Sequence, residues 1–287
     1  MPRTPTSVDT VRSITWPDGS SCRLGLWQAD EPSRPVLVVA PAMGAAVAYY
    51  RLFFNRLHRA GFSVVAMDWR GHGRNEPPIS RRTRFGYSQL VQDLRSVGQW
   101  SRDCFPRAPQ FLLGHSLGEQ LALLTLGAYP DIAHGAILIA AGSVYYRTYP
   151  RPWRTLVGTQ FAAGLATAWG VWPGERWGFA GTEAAGVMRD WARQARTGVY
   201  HPTDAPVDFE QGLRRIDQPV LAMSIEGDPL APAAAVEHLC AKMPGAVVTH
   251  WQSTGGALNH FNWVRHCQPF VDQTAHWLNQ LTGATTP

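Results

Sequence analysis

The 287-residue chain predicts an α/β fold: a mostly parallel sheet with an N-terminal antiparallel hairpin, helices on both faces and a helical insertion. Two observations carry this prediction. Short continuous apolar runs such as "VLVVA" and "AILIA" are what strands buried on both faces produce. They alternate with amphipathic stretches across short turns, which argues for right-handed crossovers between parallel strands. A long aromatic-rich interlude breaks that rhythm once and reads as the insertion.

Taken in order, "VRSITWPDGSSCRLGLWQ" is two alternating runs around Pro17-Asp18-Gly19, a hairpin signal, placed at an antiparallel edge. "PVLVVAPAMG" is a buried strand, and "YYRLFFNRLHRAG" has apolar residues at helical spacing and stops at Gly61, as a C-terminal glycine does. "FSVVAMDWRGHG" repeats the pattern of apolar run and glycine-rich turn. "YSQLVQDLRSVGQWSRD" is an amphipathic helix, "QFLLGHS" a short strand, "LALLTLGAY" a helix and "AHGAILIAAGS" another buried strand. After the interlude come the strand "QPVLAMSIEGD", the helix "AAAVEHLCAKM", the strand "AVVTHW" and a last helix around "FVDQTAHWLNQL".

The interlude, Ser143 to Gln211, holds five of the twelve tryptophans: Trp153, Trp169, Trp172, Trp177 and Trp191. With Tyr145, Tyr146, Phe161 and Phe179 nearby, it is expected to fold over the carboxyl edge of the sheet, where ligands bind in open α/β sheets. Most of these aromatics are expected to pack the insertion's own small core, a minority facing a pocket. Thr155 to Gly174 carries no charge, but Thr, Gln, four glycines and Pro173 dilute it, so it reads as a lid helix rather than a membrane span.

Composition excludes several classes. Hydrophobic content of 45% and charged content of 16% describe an ordinary globular protein. The net charge of +5 is modest, and the nearest basic cluster, Arg70, Arg74, Arg81, Arg82 and Arg84, reads as a solvated face rather than a nucleic-acid stripe. Cys22, Cys104, Cys240 and Cys267 form no C-x-x-C pair, so no zinc site, metal or disulfide framework is indicated. Scattered thiols fit a reducing compartment. "MPRTPTSVDTVRS" lacks the apolar stretch of a signal peptide, and a cytoplasmic location is expected.

The chemistry concentrates at "FLLGHSLGEQLALL". Gly114-His115-Ser116-Leu117-Gly118 fits G-x-S-x-G, the strand-to-helix turn that presents a nucleophilic serine. Ser116-x-x-Glu119 also fits a capping box, in which the serine only caps a helix. Context decides for the nucleophile. A strand precedes the motif and a helix follows. Gly114 and Gly118 let strand and helix approach around a strained turn, and a capping box has no need of Gly114. A nucleophilic serine needs a base and an orienting acid, in the chain order Ser, acid, His for such a sheet. His260, in the loop "GGALNHFNW" after the last strand, is better placed than His250 in a strand or His266 in a helix. "VLAMSIEGDPLAP" ends in an abrupt turn where Gly227 and Pro229 fix the direction of Asp228, the expected acid, with Glu226 as fallback. Two preorganised N–H donors are required for the oxyanion. One is expected from Leu117, which follows the nucleophile, and the other from Met43 in "PAMGAA", with Gly44 next to it. Gly44, His115, Tyr145 and Tyr146 are expected to touch substrate.

At these residues the sequence resembles the α/β-hydrolase superfamily over essentially its full length. "PAMG", "DWRGHGRN", "GHSLG", "EGDPLAP" and "NHF" fall at that superfamily's oxyanion loop, post-strand turn, elbow, acid turn and histidine loop. "PAMGAAVAYYRLF" and "LNHFNW" look most like bacterial predicted α/β hydrolases related to the serine aminopeptidase/monoacylglycerol lipase-like group. The resemblance implies a metal-free hydrolase without cofactor, a Ser116-Asp228-His260 triad, and a cap (143–211) inserted after the sixth strand into a core of residues 1–142 and 212–287. It makes Asp68 and His72 structural. Two departures stand out. Glu119 replaces a commonly small residue, with a charge near the oxyanion site, or a side chain reaching back to a free backbone N–H. Asn75 stands where relatives often have Ser.

The expected activity is hydrolysis of a small-molecule carboxylic ester with a hydrophobic portion, through an acyl-enzyme on Ser116. Thioesterase, amidase or acyltransferase activity would use the same residues, and perhydrolase or haloperoxidase side activity is compatible with them. A binding protein that kept the fold without turnover is the alternative of another class. Dehalogenase and epoxide-hydrolase chemistry needs an aspartate where Ser116 stands. No nucleic-acid partner and no stable membrane insertion are expected.

Overall fold

A computed structural model describes residues 10–16, 18–255 and 258–283. Pro17, the first nine residues and Gly256-Ala257 of the histidine loop, all named above, lie outside the described residues. Eight strands form one sheet: β1 (Thr10–Thr15), β2 (Ser21–Trp27), β3 (Val36–Ala40), β4 (Ser63–Met67), β5 (Gln110–His115), β6 (Ala136–Ile139), β9 (Val220–Ile225) and β10 (Val248–Ser253). Their order is β1-β2-β4-β3-β5-β6-β9-β10. β1 pairs antiparallel with β2, and β2 antiparallel with β4; every later pairing is parallel. The expected antiparallel edge and parallel body are both present.

The apolar runs explain the burial. Every residue of β3, β4, β5, β6 and β9 is buried, because helices cover both faces. On one face lie α1 (Arg51–Arg59) and α8 (Gln268–Thr282), closing a core with Phe53, Phe54, Trp263 and Phe270. On the other, α2 (Tyr87–Cys104) and α3 (Leu117–Ala128) close a core with Leu90, Leu94, Leu121 and Leu124. Alternation along β5 divides its side chains between them: Leu112 faces the second core, Phe111 and Leu113 the first. α7 (Ala233–Cys240) links the last two strands.

Between β6 and β9 lie α4 (Pro152–Trp169), α5 (Ala185–Thr197) and α6 (Phe209–Arg214), with a two-stranded ribbon of β7 (Val171–Pro173) and β8 (Thr182–Ala184). α4 and α5 pack on each other around Ala162, Ala166, Trp172, Ala185 and Met188. The uncharged stretch does not stay helical to Gly174. α4 stops at Trp169, where Gly170 takes a left-handed φ of +79°, and the next residues enter the ribbon. Its three-residue strands are too short to leave an alternation in the sequence. α6 packs on α3, its Gly212 backbone against Gly127, and Phe209 and Leu213 enter the main core. No helix among the described residues is long and apolar enough to cross a membrane.

Candidate active site

β3 and β5 are neighbours, and β3 lies between β4 and β5, so the sheet reverses its order there. Crevices at the carboxyl ends of strands form at such reversals. Ser116 follows β5 at that edge. Its φ of +54° and ψ of −119° are a conformation that a non-glycine residue holds only under surrounding constraint, at a cost of about 1–3 kcal/mol. The constraint is visible on both sides. A Cβ on Gly114 would collide with the Glu119 backbone, and one on Gly118 with the Ala40 carbonyl.

The Ser116 side chain makes no capping bond to α3, which sets aside the capping-box alternative. Its Oγ lies 2.8 Å from His260 Nε2, and His260 Nδ1 lies 2.7 Å from Asp228 Oδ2. Asp228 is buried and aimed by its turn: Gly227 has φ +73°, the Asp228 N–H donates to the Ile225 carbonyl at 3.2 Å, and Asp228 Oδ1 accepts the Leu230 N–H at 2.9 Å. Glu226 is exposed at the same turn. His250 instead meets Ser224 Oγ at 2.8 Å, and His266 ends a 3-10 turn over Asn262–His266. The structure therefore brings together one serine, one histidine and one carboxylate out of the sequence candidates.

The loop after β3 lies beside them. The Ala42 N–H donates to Tyr50 Oη at 3.0 Å and the Gly44 N–H to Glu183 Oε1 at 3.1 Å. The Met43 N–H between them has no hydrogen-bond partner among the described residues. Met43, Ser116, Leu117 and His260 all border a cavity of about 410 Å³. Its walls are apolar and aromatic: Tyr149, Phe161, Trp172, Trp177, Phe179 and Trp191, with Leu230 and Phe261. Arg154 is the one Arg, Lys, Asp or Glu among the described lining residues. No group of three His, Cys, Asp or Glu able to hold a metal ion occurs among the described residues.

The expectation for the insertion's aromatics is corrected. Three of its five tryptophans, Trp172, Trp177 and Trp191, line the cavity. Trp153 and Trp169 are exposed instead of packing a core. The reason is the ribbon, which turns Trp172 over the cavity and stacks it on Trp177 at 6.1 Å.

Four residues expected to touch substrate do not line the cavity. His115 ends β5, and alternation turns it to the α1/α8 face, with Nδ1 2.7 Å from Tyr50 Oη and Nε2 3.2 Å from Trp263 Nε1. Burial, and then the neighbouring His260, push its pKa well below the usual histidine value, so it is a neutral imidazole. Gly44 is covered, since a Cβ there would collide with the Ala180 carbonyl. Tyr145 lies against His238 at 5.0 Å, and Tyr146 against Tyr145 at 5.3 Å. Tyr149, beyond the 3-10 turn Tyr146–Thr148, faces the cavity in their place. That turn decides which tyrosine of "VYYRTY" points inward, and no periodicity in the sequence announces it.

Glu119 reaches a backbone N–H, though not one at its own helix start: Oε1 accepts from Gly142 at 3.1 Å. Complete burial raises its pKa well above the usual carboxylate range, which disfavours the expected charge near Ser116. Asn75 is anchored in its turn: Nδ2 donates to the Asp68 carbonyl at 2.7 Å, the Trp69 carbonyl at 3.2 Å and Cys22 Sγ at 3.8 Å, and Oδ1 accepts the Arg23 N–H at 2.7 Å.

Comparison with known proteins gives the chain a family and a fold. Residues 31–250 match the family described as serine aminopeptidase, S33. Rhodomycin D methylesterase DauP from Streptomyces sp. (strain C5) is 27% identical, over 88% of this chain and 93% of that protein. A monoacylglycerol lipase from Mycolicibacterium smegmatis is 30% identical over 42% of this chain, and the match spans only 41% of the lipase. A soluble variant of monoglyceride lipase from Saccharomyces cerevisiae shares the fold, with a TM-score of 0.71 at 15% identity over 96% of this chain and 95% of that one. With the family matched over most of its length, the chain belongs to the serine aminopeptidase S33 family, within the α/β-hydrolase superfamily.

Proposed function

We propose that this protein is a serine hydrolase that cleaves a carboxylic ester with a hydrophobic portion through an acyl-enzyme on Ser116. One observation carries the reading: the contact series Ser116 Oγ, His260 Nε2, His260 Nδ1, Asp228 Oδ2 at the wall of an apolar cavity. His260 takes the Ser116 proton as Oγ attacks the ester carbonyl, and returns it to the departing alcohol. Asp228 holds the imidazole in the required tautomer and balances its charge. The Met43 and Leu117 N–H groups receive the developing oxyanion, each donor contributing about 10²–10³ in rate. Water activated by His260 then releases the acid. Residues 143–211 act as a cap whose aromatic side chains hold the hydrophobic part.

The wall composition favours an ester over the peptide in the family's name. An aminopeptidase holds its substrate's α-ammonium group, which calls for a carboxylate. None of the described lining residues is Asp or Glu. The methylesterase, similar over nearly its whole length, supports an ester in the same way.

The test is intact mass after exposure to a fluorophosphonate, on wild type and Ser116→Ala. A single adduct on the wild type and none on the variant is the expected result. A folded wild type without an adduct would overturn the reading and turn attention to a binding protein on this fold.

A further inference from the structure

Glu183 lies in β8, within the inserted segment, yet its carboxylate serves the loop after β3. It is 1% exposed. Oε1 accepts the Gly44 N–H at 3.1 Å and lies 3.0 Å from His72 Nε2, close enough for an ion pair but off the line of a hydrogen bond. His72 comes from the turn after β4, where its Nδ1 sits 3.2 Å from the Arg70 carbonyl. Burying a carboxylate is costly unless it is paired and hydrogen-bonded, and here both compensations come from residues around one loop.

Side chains hold three of that loop's N–H groups, and Trp69 Nε1 donates to its Pro41 carbonyl at 2.9 Å. Tyr50 takes the Ala42 N–H, Glu183 the Gly44 N–H, and Asp68 the Val47 N–H at 2.6 Å. Of these clamps only Glu183 reaches in from the insertion. Its neighbours reinforce it. Ala180 abuts Gly44, whose φ of +69° and missing Cβ make the approach possible, and Met43 packs against the α4/α5 cluster.

We propose that Glu183 is a positioning residue for the reaction: by holding the Gly44 amide it aims the adjacent Met43 N–H, and so makes the insertion part of the oxyanion site rather than only a cover over the cavity. This rests on reading Ser116 as the nucleophile.

The pair also has a pH signature. Burial opposes the charge on His72, but the Glu183 carboxylate, the Arg70 carbonyl and Asp68 together outweigh it and lift His72 to about 9. The other titratable or charged groups facing the pair are Asp68, with Arg74 beside it, and Tyr87 from α2. As pH rises through about 9, His72 loses its proton and Glu183 loses its counter-charge.

The experiment compares wild type, Glu183→Ala and Glu183→Gln on p-nitrophenyl butyrate, following kcat and KM separately, the kcat–pH profile to pH 10, fluorophosphonate labelling and thermal melting. Removing the clamp should lower kcat about 10²-fold, the scale of one misaimed oxyanion donor, with KM within about threefold. Glu183→Gln keeps an acceptor for the Gly44 N–H and should recover most of kcat at pH 7. It should also lack the wild type's decline near pH 9. A labelled wild type whose Glu183→Ala variant melts earlier but keeps its kcat overturns the inference alone, as does a Glu183→Gln profile identical to wild type. A wild type that takes no label overturns the reading of Ser116 and this inference with it.

Discussion

Glu119 Oε1 accepts the Gly142 N–H at 3.1 Å, fastening the first turn of α3 to the chain that leaves β6. The side chain is fully buried, and that burial raises its pKa well above the usual carboxylate range. Glutamine has the same shape and keeps the accepting oxygen, so Glu119→Gln should retain activity. The proton decides the stability. Because the folded pKa lies above the unfolded value of 4.5, the folded state binds more protons, and stability falls as pH rises above that value. The advantage of Glu119→Gln over wild type should therefore widen as pH rises above 4.5, with a limiting slope of about 1.4 kcal/mol per pH unit. Urea unfolding at pH 5, 6 and 7 checks this, and a constant difference would mean that Glu119 is ionised.

Gly118 is fixed by close approach of α3 to β3, since a Cβ there would collide with the Ala40 carbonyl. Gly164 lies exposed within α4, and a Cβ there would meet nothing within 4 Å. Gly118→Ala should lose several kcal/mol and accumulate poorly. Gly164→Ala should gain about 1 kcal/mol from helix propensity alone. Thermal melts of the two variants separate a steric requirement from a tolerated glycine, and equal melting temperatures would refute the packing argument.

Why these glycines could be read from the sequence, and others not, follows from range. Gly114 and Gly118 belong to a motif whose strand and helix are contiguous in the chain, so their steric role shows locally. The sheet was legible for the same reason: β3 to β6 are unbroken apolar runs, and each is buried throughout. His260 and Asp228 could be named because loop position after a strand is itself local information. His115 could not be placed correctly, because its direction depends on which face of β5 meets Tyr50 and Trp263. Glu183 left no signal at all. Its partners, Gly44 and His72, are more than a hundred residues away, and nothing in "GTEAAG" announces them.

Tyr50 connects two parts of the site that the sequence keeps apart. Its Oη accepts the Ala42 N–H at 3.0 Å and lies 2.7 Å from His115 Nδ1, while His115 Nε2 is 2.9 Å from the His260 carbonyl. Tyr50→Phe strands a buried amide and one imidazole nitrogen, at a cost of about 1–3 kcal/mol. It also frees the loop that carries Met43. Urea unfolding should show that loss, and kcat should fall roughly tenfold, within the range of a partly misaimed donor, with KM little changed. Full activity in a destabilised variant would confine Tyr50 to a packing role.

Trp191 lines the cavity and packs against Phe179 at 5.5 Å, whereas Trp153 stands 63% exposed and borders no part of it. If the cavity holds the hydrophobic part of the ester, its length sets the preferred chain. Trp191→Leu shortens the wall by a ring system. Each further methylene buried in the space gained should add about 0.8 kcal/mol of binding, close to fourfold in kcat/KM. The optimum over a series of p-nitrophenyl esters from acetate to decanoate should move at least two carbons longer in Trp191→Leu, with the rate on the shortest ester little changed. Trp153→Leu removes as much aromatic surface from outside the cavity and should leave the optimum where it is. A parallel shift in both variants would show that the preference is set by adsorption to an exposed apolar surface, and an unchanged optimum in Trp191→Leu would place the hydrophobic portion elsewhere.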